Sequence, residues 1–214
     1  MPEDSADFHE TKSIFGADKK LLFVLLCLFA ILLLYIKISF IENETAAFEF
    51  LMDRPQGTIL RLINALQFFS IPLVYLWKFT VIAFVIWTGC FLFGYRVTYA
   101  QCWGVAIGAE FIFLIPEVLK IIWFMTVQTD PTIHDIRAFY PFSLMHFFDY
   151  YSLDKRWAYP LRALNIFEVI YWVLLVKGIH HYAKKDIKVV WLIVSCSYIL
   201  IFLLWLAFYV IVYK

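Results

Sequence analysis

The chain has 214 residues, 64% of them apolar and 21% aromatic, and carries 18 Lys and Arg against 17 Asp and Glu for a net charge of +1. An ordinary soluble domain is roughly 45 to 50% apolar, so this chain has too little polar surface to coat a globule of its size, and composition selects the lipid bilayer as its solvent. A near-neutral chain with scattered charges makes no electrostatic case for nucleic acid.

The first twenty residues form a short polar tail in which Glu3, Asp4, Asp7, Glu10 and Asp18 outnumber Lys12, Lys19 and Lys20. A cleaved signal has a basic start and a shorter apolar core, so the following block is read as a retained first span over 21–41, with Lys37 snorkelling to the interface. From there a single helical membrane domain is expected over 21–214. Gly57 to Ser70 mixes Leu and Ile with Arg61, Asn64 and Gln67, as a helix lying in the headgroup layer would.

The second span is expected over 71–94 and the third over 99–127. The short connection between them makes the two antiparallel neighbours. The third is apolar yet carries Glu110, Glu117 and Lys120, and Pro116 interrupts its hydrogen bonding. Proline removes the bond to the carbonyl of Ile112 and predicts a kink, with Lys78 or Lys120 as donors for the freed oxygen. A turn centred near residues 96 and 97 sets Lys78 within one helical turn of Glu117, so these two are expected to pair, with Lys120 sharing the carboxylate. Each unpaired charge near a bilayer centre costs about 2.5 to 3.5 kcal/mol on insertion scales, so all of these groups should point inward. Gly104 and Gly108 form a GxxxG pattern that allows another helix close approach, inside the chain or in a dimer.

Beyond the third span, residues 138–160 concentrate Phe, Tyr and Trp around few charges, as an interfacial belt or an aromatic ligand pocket would, with Pro141 placed to start a short helix. A fourth span is expected over 161–179. Nine Leu, Ile, Val and Phe residues between Leu164 and Val176 favour insertion by about 0.3 to 0.6 kcal/mol each, while Glu168 and Asn165 oppose it by several. The near-zero sum makes this span dependent on partners, and a four-span form with a re-entrant piece is the alternative. Asn165, Glu168 and Trp172 share one stripe. With three acids and two bases in the intramembrane set, one carboxylate, Glu110 or Glu168, is left over, and it either relays protons or binds a cation, or serves only to pin helices in register. The last span, 189–213, has no charge at all.

Cys27, Cys90, Cys102 and Cys196 lie in apolar blocks without ligand spacing, and adjacent His180 and His181 point about 100° apart on a helix, so no metal is expected. No phosphate-binding glycine loop, HExxH or GxSxG motif is present, and neither a cofactor nor an enzymatic activity is expected. Basic residues Lys19, Lys20, Arg96, Lys177, Lys184, Lys185 and Lys188 fall on one side, which places the N-terminus in the cytoplasm; Arg54, Arg61, Arg137, Lys155, Arg156 and Arg162 fall in the opposing loops.

The tight turn between the second and third spans, "FYPFSL" after the third and "LNIFEVIYWVLLVKGI" as the fourth resemble the Yip membrane-domain family over residues 65–213. The resemblance implies a polytopic helical bundle. Eukaryotic members bind prenylated GTPases and sibling proteins in vesicle traffic, whereas the short leading tail and the lack of a "DLYGP" segment point to a bacterial-type relative in a cytoplasmic (inner) membrane. The expected architecture is all-α, with five transmembrane helices and short interfacial helices. The expected function is that of an integral membrane accessory or scaffold protein, packing with a membrane-protein partner or as a homo-oligomer. The alternative is a small permease or ion-coupled carrier using its buried carboxylates.

Overall fold

The computed structural model describes residues 18–42, 56–128, 131–150, 152–184 and 186–213. The polar tail up to residue 17, Arg54 and Lys185 lie outside the described residues, as do the side chains of Arg61 and Arg137. The described residues form helices and turns, without strands.

Helix α1 (Lys19–Lys37) starts at Asp18, whose carboxylate accepts from the Lys20 amide at 3.0 Å, and continues through a π turn, Ile38–Glu42. Helix α2 (Gln56–Leu92) is one unbroken element of 37 residues with Pro72 inside it. The stretch from Gly57 to Ser70 is therefore not a separate helix but is continuous with the second span, which begins at Leu62; Pro72 lies inside the helix without ending it.

Helix α2 ends in a Schellman motif. Gly94 adopts a φ of 75°, its amide bonds to the Phe91 carbonyl at 3.0 Å, and the Tyr95 amide reaches Cys90 at 2.9 Å. Helix α3 (Tyr99–Glu110) then begins with a capping box between Thr98 and Gln101. It is the central helix: Cys102, Val105, Ala106, Ile107, Ala109 and Glu110 are almost fully buried, with α1, α2 and α7 packed around it. Its small residues let those neighbours approach. Phe23, Phe79 and Trp103 tie α1, α2 and α3 together through ring contacts of 5.9 to 6.3 Å.

A 3-10 turn, Phe111–Phe113, separates α3 from α4 (Leu114–Thr126). Pro116 explains it: without that amide the preceding turn rewinds, and the Leu114 amide reaches the carbonyls of Phe111 and Ile112. The freed oxygen of Ile112 thus meets the backbone amide of Leu114, and Lys78 is engaged elsewhere, with Glu110. Helix α5 (Ile133–Ala138) follows, capped by Thr132 and Asp135, then a turn at Tyr140–Ser143 and a 3-10 segment, Leu144–Phe147, headed by Ser143. Pro141 therefore sits in the turn and does not start a helix. The turn has proline at its second position and Phe142 at a φ of 54°, a type II arrangement that ordinarily favours Gly at the third position.

Helix α6 (Lys155–Ala163) leads into α7 (Ile166–Ala183), capped by Asn165. The last helix runs as α8 (Ile187–Val194), a π-bulge (Ser195–Ile199) and α9 (Leu200–Val212). Ser197 marks the bulge, its hydroxyl donating back to the Ile193 carbonyl at 2.7 Å.

Among the described residues, three helices are long and apolar enough to cross a membrane: Lys19–Ile41, Leu62–Leu92 and Ile187–Val212. Most of each faces outward, with residues such as Leu28, Phe84 and Leu204 more than half exposed, as acyl chains as solvent require. The other two expected spans do not reach that standard. The third is divided by its 3-10 turn into helices of 12 and 13 residues, and the fourth is an 18-residue helix that opens two residues before Glu168 and holds Lys177, His180 and His181.

Candidate functional site

A cavity of about 950 Å³ opens between α2, α6, α7, α9 and the junction of α3 with α4. Four of the five intramembrane charges singled out in the sequence line it: Lys78, Glu110, Glu117 and Glu168. Arg162 and the phenols of Tyr75, Tyr140, Tyr159 and Tyr198 line it too.

Lys78 pairs with Glu110 and not with Glu117. Its Nζ donates to Oε1 of Glu110 at 2.6 Å and lies 4.8 Å from the centre of the Phe113 ring. Two features move the pairing from its expected place. The turn is longer by Phe93 and Gly94, which shifts the level opposite Lys78 from residue 115 toward Phe113, and the lysine then reaches back one turn. The 3-10 turn also advances about 120° and 2.0 Å per residue instead of 100° and 1.5 Å, rotating and displacing Glu117 relative to Glu110. Glu117 consequently makes no ion pair or hydrogen bond with any described residue, although its side chain lines the cavity. Of the three carboxylates, Glu110 has the lysine, Glu168 has only neutral donors, and Glu117 has neither.

Glu110 is 2% exposed, yet its Oε2 has no hydrogen-bond partner among the described residues. Glu168, also buried, is held differently. The stripe of Asn165, Glu168 and Trp172 forms a hydrogen-bonded series: Asn165 Oδ1 accepts from the Glu168 amide at 2.9 Å, and Trp172 Nε1 donates to Glu168 Oε1 at 2.9 Å. Tyr198 adds its hydroxyl to the same oxygen at 3.1 Å. Asn165 is placed by its own amide, which donates to the carbonyls of Arg162 and Ala163, and by two backbone bonds joining Phe142–Leu144 to Leu164–Ile166. That bridge carries the aromatic loop to the cavity and brings Tyr140 into it. Burial first, then the charges of Glu117, Glu168 and Glu110, push the Tyr140 phenol well above its ordinary value, with Arg162 pulling the other way.

Lys120 leaves the set. It is buried, and its Nζ donates to the carbonyl of Ile136 on α5, beside a small second core of Ile41, Ile121, Phe124 and Ile136. Gly104 packs inside the chain, where an added Cβ would meet the Lys19 side chain at 3.1 Å, while Gly108 is half-buried. The closer approach is at Gly89, which the sequence did not single out: a Cβ there would lie 2.7 Å from Cβ of Ser197. Cys27, Cys90 and Cys102 are buried, but Cys196 is exposed on the outer side of the bulge. No group of residues able to hold a metal occurs among the described residues.

Sequence reasoning missed Arg162, Tyr140 and Tyr198. Arg162 reads as a loop charge because α6 is short and more polar than the spans on either side of it. Tyr198 reads as part of an apolar run, and the one signal was the pair of serines flanking Cys196, which mark the bulge that turns it inward. No protein-family model, curated protein or solved structure matches this chain.

Proposed function

We propose that the chain is a multi-pass membrane protein of the permease type, an ion-coupled carrier whose cavity takes a positively charged solute. One observation carries this reading: three carboxylates and two cationic side chains line a single cavity, and Glu117 makes no hydrogen bond with any described residue. In a low-dielectric site a group left with one unbalanced negative charge is stabilised by a cation or a proton, and exchange of one for the other is the elementary step of coupled carriage.

In this reading α3 with α4 and α7 complete five crossings within a Yip-type bundle, sheltered by the three longer spans, in a cytoplasmic membrane with the N-terminus inside. It involves no covalent catalysis. The test is uptake by the purified chain in liposomes from a panel of Na+, tetramethylammonium and tetraphenylphosphonium under an imposed pH gradient. Gradient-dependent uptake of at least one cation, reduced tenfold or more by Glu117→Gln, is the expected result; no uptake of any overturns the reading.

The accessory-subunit reading draws on the outward apolar faces of α1, α2 and α9, which a partner's helices would cover as well as lipid does. A stoichiometric partner copurifying in mild detergent, with no uptake by the chain alone, is the outcome that favours it.

A further inference from the structure

The cavity is graded from rim to floor. Its floor is charged and buried, with Glu110, Asn165 and Glu168 each under 10% exposed, while its rim is apolar and open: Val74, Trp77 and Val81 on α2 face Ile201 and Trp205 on α9, all more than 40% exposed. Both rims belong to helices long enough to cross a membrane. The separation of these rims has a local cause. The last helix meets α2 through the π-bulge, at Gly89 and Ser197, and past the bulge α9 packs against α6, where Tyr159 and Tyr209 stand 4.8 Å apart. The gap left between α2 and α9 is the mouth, and it faces the surface that acyl chains would cover.

We infer that the cavity is entered sideways from the bilayer by a hydrophobic organic cation, its charge drawn to Glu117 and the unpartnered Oε2 of Glu110, its apolar groups between Trp77 and Trp205. This deepens the carrier reading and rests on it. Charge complementarity selects the sign, because three carboxylates face two cationic side chains. The buried, unpartnered Oε2 of Glu110 is a built acceptor that costs free energy until a donor or cation reaches it. Aromatic faces around the opening attract an organic cation more strongly once it is desolvated. An inorganic ion or a small hydrophilic ammonium would lose its hydration at this mouth with no apolar contact in return.

Equilibrium dialysis of the purified chain in mild detergent, corrected with protein-free micelles, tests this with three probes of matched design. Tetraphenylphosphonium should bind once per chain and at least tenfold more tightly than tetramethylammonium, and more tightly than tetraphenylborate, its anionic counterpart in shape. Glu117→Gln should weaken tetraphenylphosphonium tenfold or more. Trp205→Ala should weaken it several-fold, and a melting temperature like the parent's shows that each variant is folded. If tetramethylammonium binds as tightly and with the same dependence on Glu117, selection of a hydrophobic cation from the bilayer is overturned while the cation-binding cavity stands. If tetraphenylborate binds as well as tetraphenylphosphonium, or no cation binds, both readings fall.

Discussion

Two carboxylates in this protein, Glu110 and Glu168, are both buried but held in opposite ways, and the difference predicts how each tolerates change. Glu110 depends on Lys78, a charge from another helix. Replacing Lys78 by Met leaves the acid uncompensated, and removing one member of a buried pair costs about 3 to 5 kcal/mol, less here because Lys78 is over a third exposed. Lys78→Met should lower the melting temperature in detergent, and Lys78→Met/Glu110→Leu should recover most of the loss, whereas Lys78→Met/Glu117→Leu should not. Glu168 depends on neutral donors, Trp172 and Tyr198, which need an oxygen and not a charge. Glu168→Gln should therefore retain stability within about 0.5 kcal/mol, while Glu168→Leu strands two donors at about 1 to 3 kcal/mol each if they stay buried. Equal losses for Gln and Leu in thermal unfolding would contradict this account.

Helices here meet at points where a side chain is missing, and those points are not equally tight. At Gly89 an added methyl would fall 2.7 Å from Cβ of Ser197, an atom fixed to its own backbone, so α2 and the bulge would have to separate. At Gly104 the nearest atom is Cε of Lys19, the far end of a flexible chain that can move aside. Gly89→Ala should destabilise by about 1 to 3 kcal/mol, as overpacking does, and Gly89→Ala/Ser197→Gly should regain part of it. Gly104→Ala should change stability little, since the better helix propensity of alanine offsets the small displacement. The GxxxG pattern thus drew attention to the more forgiving of the two contacts. Gly89 stands in "TGC" with no partner glycine, and its importance comes from a serine 108 positions later, which no local pattern discloses.

At the scale of the whole molecule, the legible part was what hydrophobicity alone decides. The first, second and last spans are marked by long apolar runs, and the inward placement of Lys78, Glu110, Glu117 and Glu168 follows from the cost of charge in lipid. What escaped depends on lengths and phases that accumulate along the chain. Two extra turn residues and three residues of 3-10 helix transferred Lys78 from Glu117 to Glu110, because a helix pair converts a small shift in register into a different partner. Lys120 escaped for another reason: its acceptor is a main-chain carbonyl on a short helix sixteen residues away, and carbonyls carry no signature in a sequence.

Helix α2 sets a scale for its surroundings. Its 37 residues extend about 55 Å, while a bilayer's hydrocarbon interior is about 30 Å thick. A rod fastened along its second half to α3 and to the bulge cannot lean freely to absorb the difference. The excess at the Gln56 end would extend into the headgroup region or beyond, and lipids with longer or shorter tails would lift or draw down that end.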